Sequence, residues 1–404
     1  MTLMRTFRAA TAVTLIFLAS NAFAEDVPRV FQCDGKPLAA AKALYTAGDA
    51  ATVEVVRAIC NRADSMLHDG PFTVVNKTHP LPGVDPHEYV SLAPYFWPNP
   101  NTPDGLPYIR HDGERNPETQ GYDSPILTRF CSHVYTLALA GYFTGDRKYS
   151  DRAALLIRAW FFDPATRMNP DLQHAQFVKG VNDGRGTGIL ETVRLLNVID
   201  AIGFLQLSPS WTDDDQTKIH AWFSDYVHWM QTSDHGHAES NATNNHGSWF
   251  DVQNVAFMLF LGDEESARKI AETAKTKRIA RQIEPNGQEP RELTRTKSFG
   301  YSTFNLSALT ELADLSSRVD VDLWHYKTDD GRCIRATIDW LIPYALGEKK
   351  WTHQQISAMT GSAMFIPLRR AAVAYPDPKL GDISNRLHNR EDEGLDDLRY
   401  PLPK

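Results

Sequence analysis

The sequence predicts an all-α protein, a toroid or barrel of antiparallel helix pairs, and three observations carry that reading. Apolar residues recur with a period near 3.6 through most of the chain. Alternating, strand-like patterns are scarce. One joint appears three times: LYTAGD ending at Asp49, GYFTGD ending at Asp146 and LFLGD ending at Asp263 each close an apolar helix on a glycine followed by an aspartate. The glycine suits the left-handed conformation that ends a helix, and the aspartate suits the N-cap of the next. Such joints make hairpins, and their recurrence over about 300 residues without a short fixed period favours a ring over a solenoid.

Taken in order, the chain opens with MTLMRTFRAATAVTLIFLASNAFA: two arginines, an apolar stretch from Ala12 to Leu18, then a small-x-small site at Ala22–Ala24. That is the pattern of a secretory signal peptide over 1–24, too short in its apolar part to span a membrane. Helical periods follow at 52–68, 125–143, 148–162, 188–206, 250–261, 264–280, 301–316 and 332–346. The clearest lies in WTDDDQTKIHAWFSDYVHWM, where Thr212 and Asp215 form a capping-box pattern and Ile219, Trp222, Phe223, Tyr226, Val227 and Met230 share one face. Residues 70–122, rich in Pro, Gly, Asn and Tyr, and residues 165–187 interrupt the helices as long loops, the places where binding groups concentrate. One helical domain is expected over 25–376, and a charged, proline-containing surface tail over 377–404.

A chain of 404 residues with 42% hydrophobic content can bury a large core. Its formal charge is −8, and loss of Arg5 and Arg8 with the signal peptide would make it −10, which argues against a nucleic-acid partner. Four cysteines, Cys33, Cys60, Cys131 and Cys333, are even in number in an exported protein, with Cys33–Cys60 the first candidate for a bridge. No pair is spaced CxxC, which disfavours zinc or redox use.

Several constellations have chemical potential. In SLAPYFWPNPNTPDGLPYIRHDGERNPE, residues 91–118, prolines hold Tyr95, Phe96, Trp97 and Tyr108 ahead of Arg110, His111 and Arg115. Rigid aromatics stack on sugar rings and arginines bind carboxylates in pairs of hydrogen bonds, although such aromatics can equally pin a loop to the helices. GRGTG, 184–188, is not preceded by a strand and lacks dinucleotide spacing; it reads as a turn that brings Arg185 to a helix mouth. His235 and His237 in DHGH could hold a metal with His246, yet DHGH reads as an exposed loop, where histidines without a required third ligand are common.

Two segments stand out. NATNNHGSW, 241–249, puts Asn244, Asn245 and His246 at the start of an apolar helix, where capping needs only one asparagine. In QEPRELTRTKSFGYSTFNLSALTELA, Tyr301 begins a buried stripe that includes Asn305, with Arg291, Arg295 and Lys297 just upstream. Cations beside a tyrosine stabilise its phenolate, so a lowered pKa is expected for Tyr301.

NNHGSW, followed about 55 residues later by the tyrosine of RTKSFGYSTFNL, resembles the catalytic signature of the alginate lyase superfamily, polysaccharide lyase families 5 and 38. The stretches YVSLAPYFWPNPNTPDGLPYIRHDGERNPE, GRGTGILET and IDWLIPYALGEKKWTHQQI resemble it too, more closely the family-38-like branch, over about residues 70 to 360. The resemblance implies an incomplete α/α toroid and β-elimination on a β-1,4-linked uronate chain. It also implies that Asn245, His246 and Arg295 neutralise the substrate carboxylate while Tyr301 moves the C5 proton. The arginine lies one residue nearer the tyrosine than in family 5, which leaves Arg291 open beside Arg295. Candidate substrate contacts are Tyr95, Trp97, Arg110, His111, Arg115, Lys179, Arg185, Asn244, Arg291 and Asn305. This mechanism requires no metal or organic cofactor. The expected partner is an anionic uronate polysaccharide, mannuronate-rich alginate first and glucuronan as the alternative, met in the periplasm or outside the cell. Rival readings are a glycoside hydrolase using Asp183 with Glu191 or Glu289 with Glu292, and a noncatalytic uronate-binding protein.

Overall fold

The computed structural model describes residues 27–388 and 394–402; the signal-peptide segment lies outside them. The first hairpin joins α1 (Gly35–Thr46) to α2 (Ala50–Met66), and Asp49 accepts from the Thr52 amide at 2.9 Å. The second joins α3 (Asp123–Thr144) to α4 (Arg147–Phe161) through Gly145, whose φ of 72° closes α3 while Asp146 accepts from the Lys148 amide at 3.0 Å. After α5 (Leu195–Leu205), α6 (Asp213–Thr232) starts on the expected Thr212–Asp215 capping box and buries the expected apolar face. Then come α7 (Asp234–Ser240), α8 (Asn245–Leu261) and α9 (Glu264–Ala274), with Gly262 at φ 84° and Asp263 accepting from Ser266. All three Gly–Asp joints therefore act as the sequence predicts.

Helices α10 (Ser298–Ser317), α11 (Ile334–Ala345), α12 (Phe365–Ala374) and α13 (Pro378–Leu387) follow, with a last short helix at Leu395–Arg399. Neighbouring hairpins pack side by side, α3 against α2, α4 and α5, and α8 against α6, α9 and α10, giving an incomplete α/α toroid around one continuous core. No helix among the described residues is long and apolar enough to cross a membrane.

The long loops are not featureless. Strand β1 (Val90–Leu92) pairs in parallel with β4 (His174–Phe177), and β2 (Phe96–Trp97) pairs antiparallel with β3 (Ile109–Arg110). The β1–β4 pair joins the two loops to each other.

Four local expectations are corrected. DHGH is not a loop but the start of α7, capped by Ser233. The period over 264–280 does run as one helix, on to Gln282, but with a π-turn at Lys275–Ile279 in place of uniform α geometry. The segment after 377, expected as a surface tail, carries a helix and is anchored: α13 buries Leu380, and Tyr400 is buried with its hydroxyl donating to the Gln32 carbonyl. All four cysteines are free thiols. Cys33 is buried near Arg318 and Arg399, whereas Cys60 lies beside Tyr149 and Asp64, so the suggested bridge does not form.

Candidate active site

A cavity of about 1030 Å³ opens where the two loops meet the mouths of α8 and α10. Its walls bring together Asn244, Asn245, His246, Arg295 and Tyr301 with Tyr95, Arg110, Arg115 and Arg185. The expected convergence of two distant segments is thus present.

At the α8 mouth, Asn244 occupies the N-cap position but its side chain makes no capping hydrogen bond. Capping therefore does not explain the asparagines; the Asn244 side chain is left to the cavity. Asn245 is buried and bound twice by one carboxylate, its backbone N–H to Glu292 Oε1 at 2.6 Å and its Nδ2 to Oε2 at 2.7 Å. A carboxylate at a helix N-terminus is favourably placed against the helix dipole. Burial nonetheless pushes the Glu292 carboxyl up from its ordinary value, against the opposing pull of Asn245, Arg295 and His246. His246 Nδ1 lies 2.5 Å from Glu239 Oε1, and Glu239 is buried. With Nδ1–H donated to that carboxylate, Nε2 keeps its lone pair for the cavity.

Gly247 follows because nothing larger fits. A Cβ there would lie 2.2 Å from the Ala242 carbonyl and 2.5 Å from Arg278 Nη1. The buried Arg278 pairs with Asp251 at 2.7 and 2.9 Å and donates to the Ser240 and Ala242 carbonyls, fixing the turn that aims residues 244–246.

At the α10 mouth, the Lys297 N-cap gives no side-chain capping bond. The first amides are satisfied by the neighbouring segment 351–355 instead: Ser298 N–H donates to the Gln354 carbonyl and Phe299 N–H to Gln355 Oε1. Trp351 Nε1 donates to Ser298 Oγ at 2.9 Å. The motif around 351–355 is a brace for the turn that presents Tyr301.

Tyr301 departs from expectation. Its hydroxyl donates to the Tyr95 hydroxyl at 3.0 Å, and its ring lies under Arg295, with Cζ 3.8 Å from the centroid. Burial first, then Tyr95, push the phenol above its ordinary value, and Arg295 only partly opposes them. The lowered pKa predicted from neighbouring cations is therefore corrected. Arg295 is already paired with Asp112, Nη2 to Oδ1 at 2.7 Å, so much of its charge is cancelled. Its Nη1 takes no hydrogen bond among the described residues.

The cavity as a whole is cationic: Arg110, Arg115, Arg185, Arg194, Arg295 and Lys297 line it against Glu191 and Glu239. Arg185 donates to the Gln176 carbonyl at 3.0 Å and to Gln176 Oε1 at 2.9 Å, and it stacks over Phe96. Burial, with Arg110 nearby, pushes it down to about 10, so it remains charged near neutral pH. Gln176 holds a left-handed backbone, φ 49°, to present that amide.

Five expected contacts lie outside this wall. Trp97 Nε1 donates to the Glu114 carbonyl, and the His111 amide donates to the Tyr95 carbonyl, so both pin the loop. Lys179 pairs with Glu118 at 3.2 Å and sits over Tyr108. Arg291 is solvent-exposed away from the cavity, so of the two alternatives only Arg295 lines it. Asn305 is buried one helical turn below Tyr301, donating to Gln282 and Glu289.

Neither proposed hydrolase pair flanks the cavity. Glu289 and Glu292 are buried behind it, and Asp183 is exposed apart from Glu191, which accepts from Tyr89 at 2.7 Å. The histidine grouping is separated as well: His235 contacts the Gln173 carbonyl, and no cluster of three or more metal-ligating side chains occurs among the described residues. Sequence reasoning misses Glu239, Asp112 and Gln176, and it names Glu292 only as half of a hydrolase pair, not as the carboxylate that holds Asn245. None has a local signal, since each matters through a partner on another element.

Comparison with known proteins bears on the family and the fold. The sequence profile of the family described as alginate lyase matches residues 73–351. An alginate lyase from Bacteroides ovatus of known crystal structure is 35% identical, with a TM-score of 0.89 over 93% of this chain and 100% of its own. Alginate lyase A1-III, as a tyrosine-to-phenylalanine variant complexed with a tetrasaccharide, shares the fold at 14% identity, TM-score 0.54, over 86% of this chain and 95% of its own. Its histidine-to-alanine variant with a tetrasaccharide gives 15% identity and a TM-score of 0.52 over 86% and 94%. No curated protein sequence matches.

Proposed function

The chain belongs to the alginate lyase family and is a polysaccharide lyase, and from that premise we propose that it cleaves mannuronate-rich alginate by β-elimination, leaving a 4,5-unsaturated end. The observation that carries the proposal is the shared cavity of Tyr301, His246, Asn245 and Arg295, drawn from the mouths of two helices.

A uronate C5 proton becomes removable once the C6 carboxylate charge is masked, because the electron pair moves toward that group as the proton leaves. Arg295 Nη1 and the Asn244 amide are the free donors for it. Asn245 Nδ2 carries a second N–H beyond the one given to Glu292, so it can serve both carboxylates. Tyr301 takes the C5 proton as phenolate; the C5 electron pair forms the C4=C5 bond as C4–O4 breaks, and O4 takes the proton from Tyr301. In mannuronate and glucuronate the C5 proton and O4 lie on the same side, so one residue serves both steps. In guluronate they lie on opposite sides, and His246 Nε2, oriented by Glu239, is the second base.

Arg185 and Arg115 are positioned for carboxylates of flanking sugars, within a basic cavity on an acidic chain. Export to the periplasm or beyond belongs to the same reading and rests on residues 1–24. Incubating the purified protein with polymannuronate, glucuronan and polyguluronate while following absorbance of the new double bond tests the function. A rise with polymannuronate is expected; a larger rise with glucuronan would reassign the substrate, and no rise on any of the three would reject the lyase reading.

A further inference from the structure

We propose that Asp112 is a positioning residue of the site: its carboxylate seats the Arg295 guanidinium on the Tyr301 ring, offsets its charge, and joins the aromatic loop to the helix bearing the phenol. The proposal rests on the lyase reading for the reaction, but its geometry and part of its test do not.

One carboxylate gathers the donors of three residues. Asp112 Oδ1 accepts from Arg295 Nη2 at 2.7 Å, Arg295 Nε at 3.2 Å and Arg110 Nη2 at 2.7 Å. Oδ2 accepts from Arg295 Nε at 3.1 Å, the Thr296 amide at 3.1 Å and Thr296 Oγ1 at 3.0 Å. The Asp112 carbonyl accepts from Thr296 Oγ1 as well, at 2.8 Å. Gly113 shows how close the two segments come: its φ is +78°, and a Cβ there would lie 2.5 Å from Thr296 Oγ1. The Asp112 and Arg295 side chains are only 18% and 15% exposed, so solvent screens the pair weakly.

Two consequences follow for the phenol. With Nε and Nη2 held by Asp112, the guanidinium is fixed over Tyr301, Cζ 3.8 Å from the ring centroid, with Nη1 as its free edge. Its charge is also matched by a carboxylate from the loop that supplies Tyr95. The groups around Tyr301 are then Tyr95 and Asp112 from the loop, Arg295 and Lys297 from the approach to α10, Glu292 behind Arg295, and His246 from α8. Removing the Asp112 charge leaves Arg295 with only the weaker influence of Glu292 and favours the phenolate.

The test compares Asp112→Asn and Asp112→Glu with wild type, each with and without Tyr301→Phe. Tyrosinate absorbance is titrated, and the difference isolates one phenol among the chain's 14 tyrosines. The Tyr301 inflection is expected to fall by about one pH unit or more in Asp112→Asn and to stay near the wild-type position in Asp112→Glu, which keeps the charge. The alkaline limb of kcat/KM on polymannuronate should move with it. A uniform loss of rate at every pH with an unmoved inflection, or an upward shift, would overturn the proposal. If Asp112→Asn does not fold, Asp112→Glu decides alone: an inflection displaced as far as that expected of the asparagine variant rejects charge matching. Because the titration needs no turnover, a wild type that leaves every uronan intact would reject the lyase reading and still leave the role of Asp112 decided.

Discussion

Tyr95→Phe removes one hydroxyl and, with it, the acceptor of the Tyr301 O–H at 3.0 Å. Only the neutral phenol can donate that bond, so its loss destabilises the protonated form and Tyr301 ionises more easily. A hydrogen bond of net worth about 0.5–1.5 kcal/mol, at 1.36 kcal/mol per pKa unit, corresponds to a fall of about 0.4–1.1 units. Burial also holds the phenol high, so both enzymes keep it mostly protonated at neutral pH. In that regime the phenolate fraction, and with it kcat/KM, climbs about tenfold per pH unit. The variant should lie above wild type by roughly three- to tenfold near pH 8 once any pH-independent loss of substrate stacking is factored out. The assay is kcat/KM for polymannuronate from pH 6 to 10, read by the unsaturated product. The refuting result is an alkaline limb displaced upward in Tyr95→Phe. It would mean that the Tyr95 hydroxyl donates to the phenolate during turnover, and that the pair assists ionisation.

Three further outcomes are expected. Glu239→Gln removes the carboxylate that fixes the His246 tautomer, so kcat should drop by about a hundredfold with unchanged circular dichroism, the loss being greater on polyguluronate; equal rates would remove Glu239 from the mechanism. Arg185→Ala deletes a half-buried cation that has no salt-bridge partner among the described residues, and should raise KM by roughly tenfold or more with little change in kcat. A lowered kcat at unchanged KM would place Arg185 at the reacting sugar instead. Gly247→Ala forces a methyl group against the Ala242 carbonyl and Arg278, costing about 1–3 kcal/mol, and should lower Tm; an unchanged Tm would show that the turn relaxes freely.

What the sequence reveals divides by the range of the interaction. The Gly–Asp joints at 48–49, 145–146 and 262–263 and the Thr212–Asp215 box are written within a few residues, and each appears as read. The meeting of Asn245 and His246 with Tyr301 is legible only through resemblance, since no local pattern brings the two helix mouths together. Charge at Tyr301 was misread because three neighbouring cations are visible in sequence while Asp112, 183 residues before Arg295, is not. Asn305 shares the Tyr301 helical face, yet one turn of α10 separates the cavity wall from the layer where Glu289 holds the amide. Trp97 and Lys179 belong to rigid loops as expected, and the side chains simply serve those loops.

The most direct measurement is the product spectrum of wild type and Tyr301→Phe on polymannuronate, with substrate binding followed by calorimetry. Elimination by the phenol predicts 4,5-unsaturated ends from wild type, and from the variant a loss of about a hundredfold or more at nearly unchanged affinity. Saturated ends from wild type, or a variant that turns over at close to the normal rate, would contradict it.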